Sequence, residues 1–146
     1  MAVDVLTEVV IERPLPMVAE YVGDPSNAPE WYANIESVSW RTEPPVAVGS
    51  RMEFVAHFLG RRLVYTYEVV EFAPLERLVM RTEQGPFPME TSYQWSPAGE
   101  RFTSMSLRNR GEPSGFAGVA APLMSAAMRR ANQKDLSRLK ALLESR

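Results

Sequence analysis

Hydrophobic and polar positions alternate over most of this chain and change period only near its end. Residues 3 to 13 place Val3, Val5, Val9 and Ile11 on one side and Asp4, Glu8 and Glu12 on the other, which predicts a half-buried strand. The alternation is imperfect, with Thr7 on the apolar side and Leu6 and Val10 on the polar one. Pro14 and Pro16 end the strand, and Pro16 suits the first turn of a short helix whose apolar face is Met17, Val18, Tyr21 and Val22. Between Gly23 and Asn34, two prolines and several capping residues predict a tight turn and a second short helix.

Further strand-like segments follow at 35–43, 50–59, 61–72, 76–84, 88–96 and 101–110, punctuated by Gly60, Ala73-Pro74, Gly85-Pro86 and Pro97-Ala98-Gly99. Connections this short join antiparallel neighbours, because a parallel crossover needs roughly a dozen residues or more. A meander is predicted. Residues 115–145 then abandon β-branched side chains for Ala, Leu, Met, Arg and Lys, the composition of a long helix. Its stripe runs through Met124, Met128, Ala131, Asp135, Leu139 and Leu142, and is extended by Leu136 and Leu143. Pro122, with Gly115 and Gly118 before it, predicts a kink or a loose first turn. Gly118, Ala120, Ala121, Ser125, Ala126 and Ala127 are small, and leave free volume where the helix begins, for a gate or for a close helix–sheet approach.

These elements define an α+β architecture. A curved antiparallel seven-stranded sheet carries two short helices after its first strand, and a long C-terminal helix covers the apolar face. The 146 residues, 45% hydrophobic and 23% charged, suit one domain over 1–146 with a sizeable core. With no Cys and one His, His57, the chain has no disulfides, no thiolate or multi-imidazole metal site and no cysteine nucleophile. A net charge of -2 disfavours nucleic acid as a partner. No apolar run approaches the roughly 20 residues of a membrane span, and a cytoplasmic location is the expectation. Fourteen Arg against two Lys reads as a coding bias before it reads as anion sites.

Several short stretches recur in one order: Ile11-Glu12-Arg13-Pro14 closing the first strand, the Asp24-Pro25 turn followed by Trp31, and Val48-Gly49. After them come Glu71-Phe72-Ala73-Pro74 with Arg77-Leu78, Gly85-Pro86-Phe87, the Trp95 strand and the closing Asp135-Leu136-Ser137-Arg138-Leu139-Lys140. In that order they resemble the START-like, or birch-pollen-allergen-like (SRPBCC), superfamily with its helix-grip fold, and within it the bacterial polyketide cyclase/dehydratase and lipid-transport type. The resemblance implies a mostly apolar cavity between sheet and helix that opens near the short helices and loops, with Trp31 and Tyr32 at its rim. Its occupant would be a small or medium hydrophobic molecule such as a polyketide, lipid or aromatic metabolite. No cofactor is implied, and a homodimer is left open. Because the superfamily hosts carriers, cyclases, hydrolases, receptors and co-chaperones, the fold alone does not assign the chemistry.

Alternation independently selects the inward side chains. They are Met52, Phe54, Ala56 and Phe58; then Leu63, Tyr65, Tyr67 and Val69; Leu78 and Met80; Met89, Thr91, Tyr93 and Trp95; and Thr103, Met105 and Leu107. The candidate ligand contacts are Trp31, Tyr32, Phe54, Phe58, Tyr65, Tyr67, Met80, Met89, Thr91, Tyr93, Met105, Met124 and Met128, an apolar set with scattered hydroxyls. His57 falls on the outer face. Aromatase/cyclases of the family place an arginine inside the cavity, whereas the central inward run here reads Tyr65-Thr66-Tyr67. If the protein is instead a cofactor-free cyclase or dehydratase, its acid–base candidates are Tyr65, Tyr67, Arg81 and Glu71. Glu71 shares the inward parity of Tyr67 and Val69, while Arg81 needs a bulge to turn inward. A filled core would leave a third function, a protein-interaction module.

Overall fold

A computed structural model describes residues 3–85, 87–112 and 121–146. Strand β1 (Val3–Ile11) leads through α1 (Leu15–Val22), a 3-10 turn (Pro25–Asn27) and α2 (Ala28–Trp31) into β2 (Ile35–Trp40). Then follow β3 (Arg51–Phe58), β4 (Arg61–Ala73), β5 (Arg77–Gln84), β6 (Met89–Pro97), β7 (Thr103–Gly111) and α3 (Ala121–Glu144). All strands lie in one antiparallel sheet ordered β1-β7-β6-β5-β4-β3-β2. The meander runs from β2 to β7, and β1 closes against β7. This is the helix-grip arrangement that the resemblance implies.

Short connections hold the meander in register. Between β3 and β4 only Leu59 and Gly60 intervene, with φ of 51° and 77°, because Phe58 pairs with Arg61. A two-residue hairpin needs this left-handed pair of residues to match the twist of its strands, and Gly60 supplies the second without steric cost. Gly85 serves a different purpose. A Cβ there would come within 2.9 Å of the Cβ of Tyr65, so glycine lets the end of β5 lie against that side chain.

The sheet has one apolar face, and α3 covers it with Met124, Leu136, Leu139 and Leu143, all buried. Pro122 is exposed on α3, and the kink or loose first turn expected around it involves residues before Ala121, which lie outside those described. The expectations for Gly115, Gly118 and Ala120 fall outside the described residues. The same helix also finishes the edge of the sheet. Arg129 Nη1 donates to the Leu6 carbonyl at 3.1 Å and Lys140 Nζ to that of Val10 at 2.9 Å, while the Glu12 N–H donates to Glu144 Oε2 at 2.8 Å. In the opposite direction, Arg13 donates to the carbonyls of Glu144 and Arg146 at the end of the helix. Unpaired edge groups of β1 are thereby occupied by side chains that offer no template to another strand.

Leu139 is 0% exposed and Leu123, on the same helix, is 67% exposed. Leu139→Ala is expected to destabilise the fold by about 2–5 kcal/mol and Leu123→Ala by less than about 0.5 kcal/mol, as read by urea unfolding. Equal effects would mean that α3 does not seat on the sheet through this stripe.

Candidate functional site

The inward parity of the strands brings three rings together. Phe54 pairs with Tyr65 across β3 and β4, and their rings stack with centroids 5.5 Å apart. Tyr67, two residues further along, meets both edge-on at 5.3 and 5.0 Å. From this wall a chain of hydroxyls crosses the sheet. The Thr91 hydroxyl donates its only proton to Asn109 Oδ1 at 2.6 Å, so the Tyr67 hydroxyl must be the donor in its 2.7 Å bond to Thr91 Oγ1. A second pair, Tyr32 and Tyr93, joins hydroxyl to hydroxyl at 2.8 Å.

Between this wall and α3 lies a cavity of about 100 Å³. Of the thirteen candidate contacts, eleven line it: Tyr32, Phe54, Phe58, Tyr65, Tyr67, Met80, Met89, Thr91, Tyr93, Met124 and Met128. Trp31 and Met105 do not. Trp31 is 1% exposed and packs its ring 4.0 Å from that of Tyr32, so it anchors the short helices, and Met105 is buried elsewhere in the core. The amides Asn34, Asn109 and Asn132 also line the cavity and escaped the strand-by-strand reading. Asn132 carried a signal nonetheless, as the one polar residue in the i, i+4 series Met124, Met128, Asn132, Leu136.

Two of the four acid–base candidates lie away from the cavity. Glu71 points outward and pairs with Arg77 at 2.7 Å. The reason is a bulge at Val70: Val69 pairs with Met80 but Glu71 with Val79, and one extra residue reverses the parity of everything after it. Arg81 stays on the outer face, where it shares Glu90 with Arg110. Burial opposes the charge on Glu90, yet the bonds from Arg81 and Arg110 hold its carboxyl below the usual range. His57 is exposed against Glu36. Among the described residues no three acidic or imidazole side chains gather as a metal site.

The cavity groups are therefore phenols, amides and thioethers. Burial lifts Tyr65 and Tyr32 well above the ordinary tyrosine range and Tyr67 to about 12, and it raises Tyr93 too. All four remain protonated at neutral pH and can donate hydrogen bonds without releasing protons. A buried carboxyl, Asp135, lies on the sheet-facing side of α3, and its Oδ1 accepts the Ala33 N–H at 3.0 Å. That bond ties the residue after Tyr32 to the helix. Burial pushes the Asp135 carboxyl from 3.8 up to about 6, against the opposing pull of the Ala33 N–H.

A curled sheet gripping a helix over an apolar cavity places the molecule in the helix-grip class. The sequence profile described as polyketide cyclase/dehydrase and lipid transport matches residues 2–144, and the chain belongs to that family. No curated protein matches the chain by sequence. Among solved structures, a START superfamily protein from Mycobacterium smegmatis aligns with a TM-score of 0.84 at 17% identity over 97% of each chain. The Zhui aromatase/cyclase from Streptomyces sp. R1128 aligns at 0.79 and 17% identity, over 99% of this chain and 94% of its own. The ginseng major latex-like protein 151 from Panax ginseng aligns at 0.75 and 14% identity over 96% of each. At these identities the likeness speaks for the fold. Among the described residues no helix is long and apolar enough to cross a membrane.

Asp135 yields a pH prediction. Because its folded pKa is raised, the native state binds more protons than the unfolded chain between about pH 4 and 6, and this contribution to stability is lost as pH rises through that window. Asp135→Asn keeps an oxygen for the Ala33 N–H but cannot ionise. Relative to the parent, it should gain about 2 kcal/mol between pH 4 and pH 7.5 in urea unfolding, since each tenfold change in proton affinity is worth roughly 1.4 kcal/mol. A difference that stays constant with pH would show that burial does not perturb this carboxyl.

Proposed function

We propose that this protein binds a small, uncharged, largely apolar molecule in the cavity between the sheet and α3 and holds it without transforming it. The observation that carries this reading is the segregation of charge. The cavity is lined by aromatic rings, methionines, amides and hydroxyls, and Arg110, the one cationic residue along it among the described residues, has its guanidinium on Glu90, which Arg81 shares on the outer face. An anion would find no free positive charge there. The volume of about 100 Å³ is smaller than the roughly 150 Å³ of an engineered apolar cavity that takes benzene, so it limits the occupant to a single ring at most.

One structural relative is an aromatase/cyclase, and the competing reading for this chain is a cofactor-free cyclase or dehydratase that uses Tyr65 or Tyr67. Enolisation needs a group that accepts a proton near neutral pH. Burial makes both tyrosines weaker acids, which leaves hydrogen-bond donation as their contribution and favours binding. The open volume in turn disfavours a protein-interaction module with a filled core.

Toluene is expected to bind with one-to-one stoichiometry and to raise the melting temperature by a few degrees at saturation, since a domain of this size shifts by about 2–4 °C per kcal/mol. Benzoate, the same ring with a negative charge, is expected to leave it unchanged. Phe54→Ala should weaken toluene binding and admit naphthalene. Calorimetry that finds no saturable toluene binding would sink the reading.

A further inference from the structure

Asn132 stands in the middle of α3, 4% exposed, between Met128 and Leu136 on the stripe that faces the sheet. Its amide Nδ2 is buried without a hydrogen-bond partner, and the residue lines the cavity. Trp95 Nε1, another buried donor without a partner, belongs to a residue outside the cavity lining. Burying an unpaired amide is costly, and apolar side chains at the neighbouring stripe positions show what packing alone would favour there. The other polar groups of the cavity are largely engaged. Tyr67 spends its proton on Thr91, Thr91 spends its own on Asn109, and Tyr32 and Tyr93 bond to each other. The Tyr65 hydroxyl takes part in none of these bonds.

We infer that Asn132 is the specificity residue of the cavity and that it hydrogen-bonds a hydroxyl carried on the ring of the ligand. The inference rests on the binding function proposed above and narrows its ligand class to single-ring phenols. Asn132 Nδ2, a buried donor without a partner, and the Tyr65 hydroxyl call for an oxygen that accepts. The lone pair that Tyr67 keeps after donating to Thr91 offers an acceptor in the same cavity. A phenolic hydroxyl both accepts and donates, and it carries no charge at neutral pH, as this lining requires. A hydrocarbon of the same shape leaves the amide unpaired.

The test compares phenol with toluene, which differ by a hydroxyl in place of a methyl, in the parent protein and in Asn132→Leu, with Asn132→Ala as the second variant. Calorimetry should show the ratio of phenol to toluene affinity falling at least about tenfold in either variant, the worth of one hydrogen bond. Asn132→Leu should also melt at a higher temperature than the parent, because it removes an unpaired buried amide. An unchanged ratio overturns the assignment, as does a ratio that collapses in Tyr65→Phe but not in the Asn132 variants. A lower melting temperature with the ratio intact would make Asn132 a structural residue. Toluene binding that persists alongside any of these results leaves the cavity function standing; failure of both ligands in the parent removes the function and the inference together.

Discussion

The structure depends on a single helix meeting two obligations of one sheet. A bent antiparallel sheet with an apolar concave face must be covered, and its first strand must not be left with a bare edge. Helix α3 does both, with Leu136, Leu139 and Leu143 on one face and, from its flank, Arg129 and Lys140 reaching the backbone of β1 and Glu144 that of Glu12 just after it. Because the polar flank fixes the position of the helix at the β1 edge, the apolar face need not fill all the space beneath it. The cavity toward Phe54, Tyr65 and Tyr67 is what remains between a helix held at one side and a sheet that curves away from it.

The polar groups are divided between the two faces by the same geometry. Outward positions carry ion pairs that stay in contact with water, such as Arg108 with Asp4 and Arg77 with Glu71, and each contributes little to stability. Inward positions carry neutral groups that pair among themselves across strands, as Tyr67, Thr91 and Asn109 do. Burial then keeps the phenols protonated, so the cavity orients an occupant without offering a strong acid or base. Asp135 is the exception on the buried side. It is turned toward the Ala33 amide, a bond that offsets part of its desolvation and links α3 to the segment that carries Tyr32.

Most of the fold was legible because strand parity is a local property. Once a strand is recognised, the side of every residue follows, and Phe54, Tyr65, Met80, Thr91 and Tyr93 all line the cavity as their parity requires. Parity fails where a bulge inserts a residue, and Val70 is such a place: it turns Glu71 to solvent, and no turn signal in the sequence marks it. Trp31 and Met105 show the other limit. An inward direction places a side chain in the interior, but whether it meets the cavity or the packed core depends on how far along the sheet the helix rests.

The order of the elements, the antiparallel meander and the face each strand buries are all written in the chain itself, since each follows from periods and turns spanning a few residues. The cysteine and histidine counts likewise remove thiolate and multi-imidazole chemistry. It takes the folded arrangement to leave Asn132 Nδ2 buried without a hydrogen-bond partner on a residue that lines the cavity. Whether that group is satisfied depends on what the strands of the sheet, far from α3 in the chain, bring around it. Hydrogen bonding of a buried group is settled by its three-dimensional neighbours, and no local pattern encodes their absence.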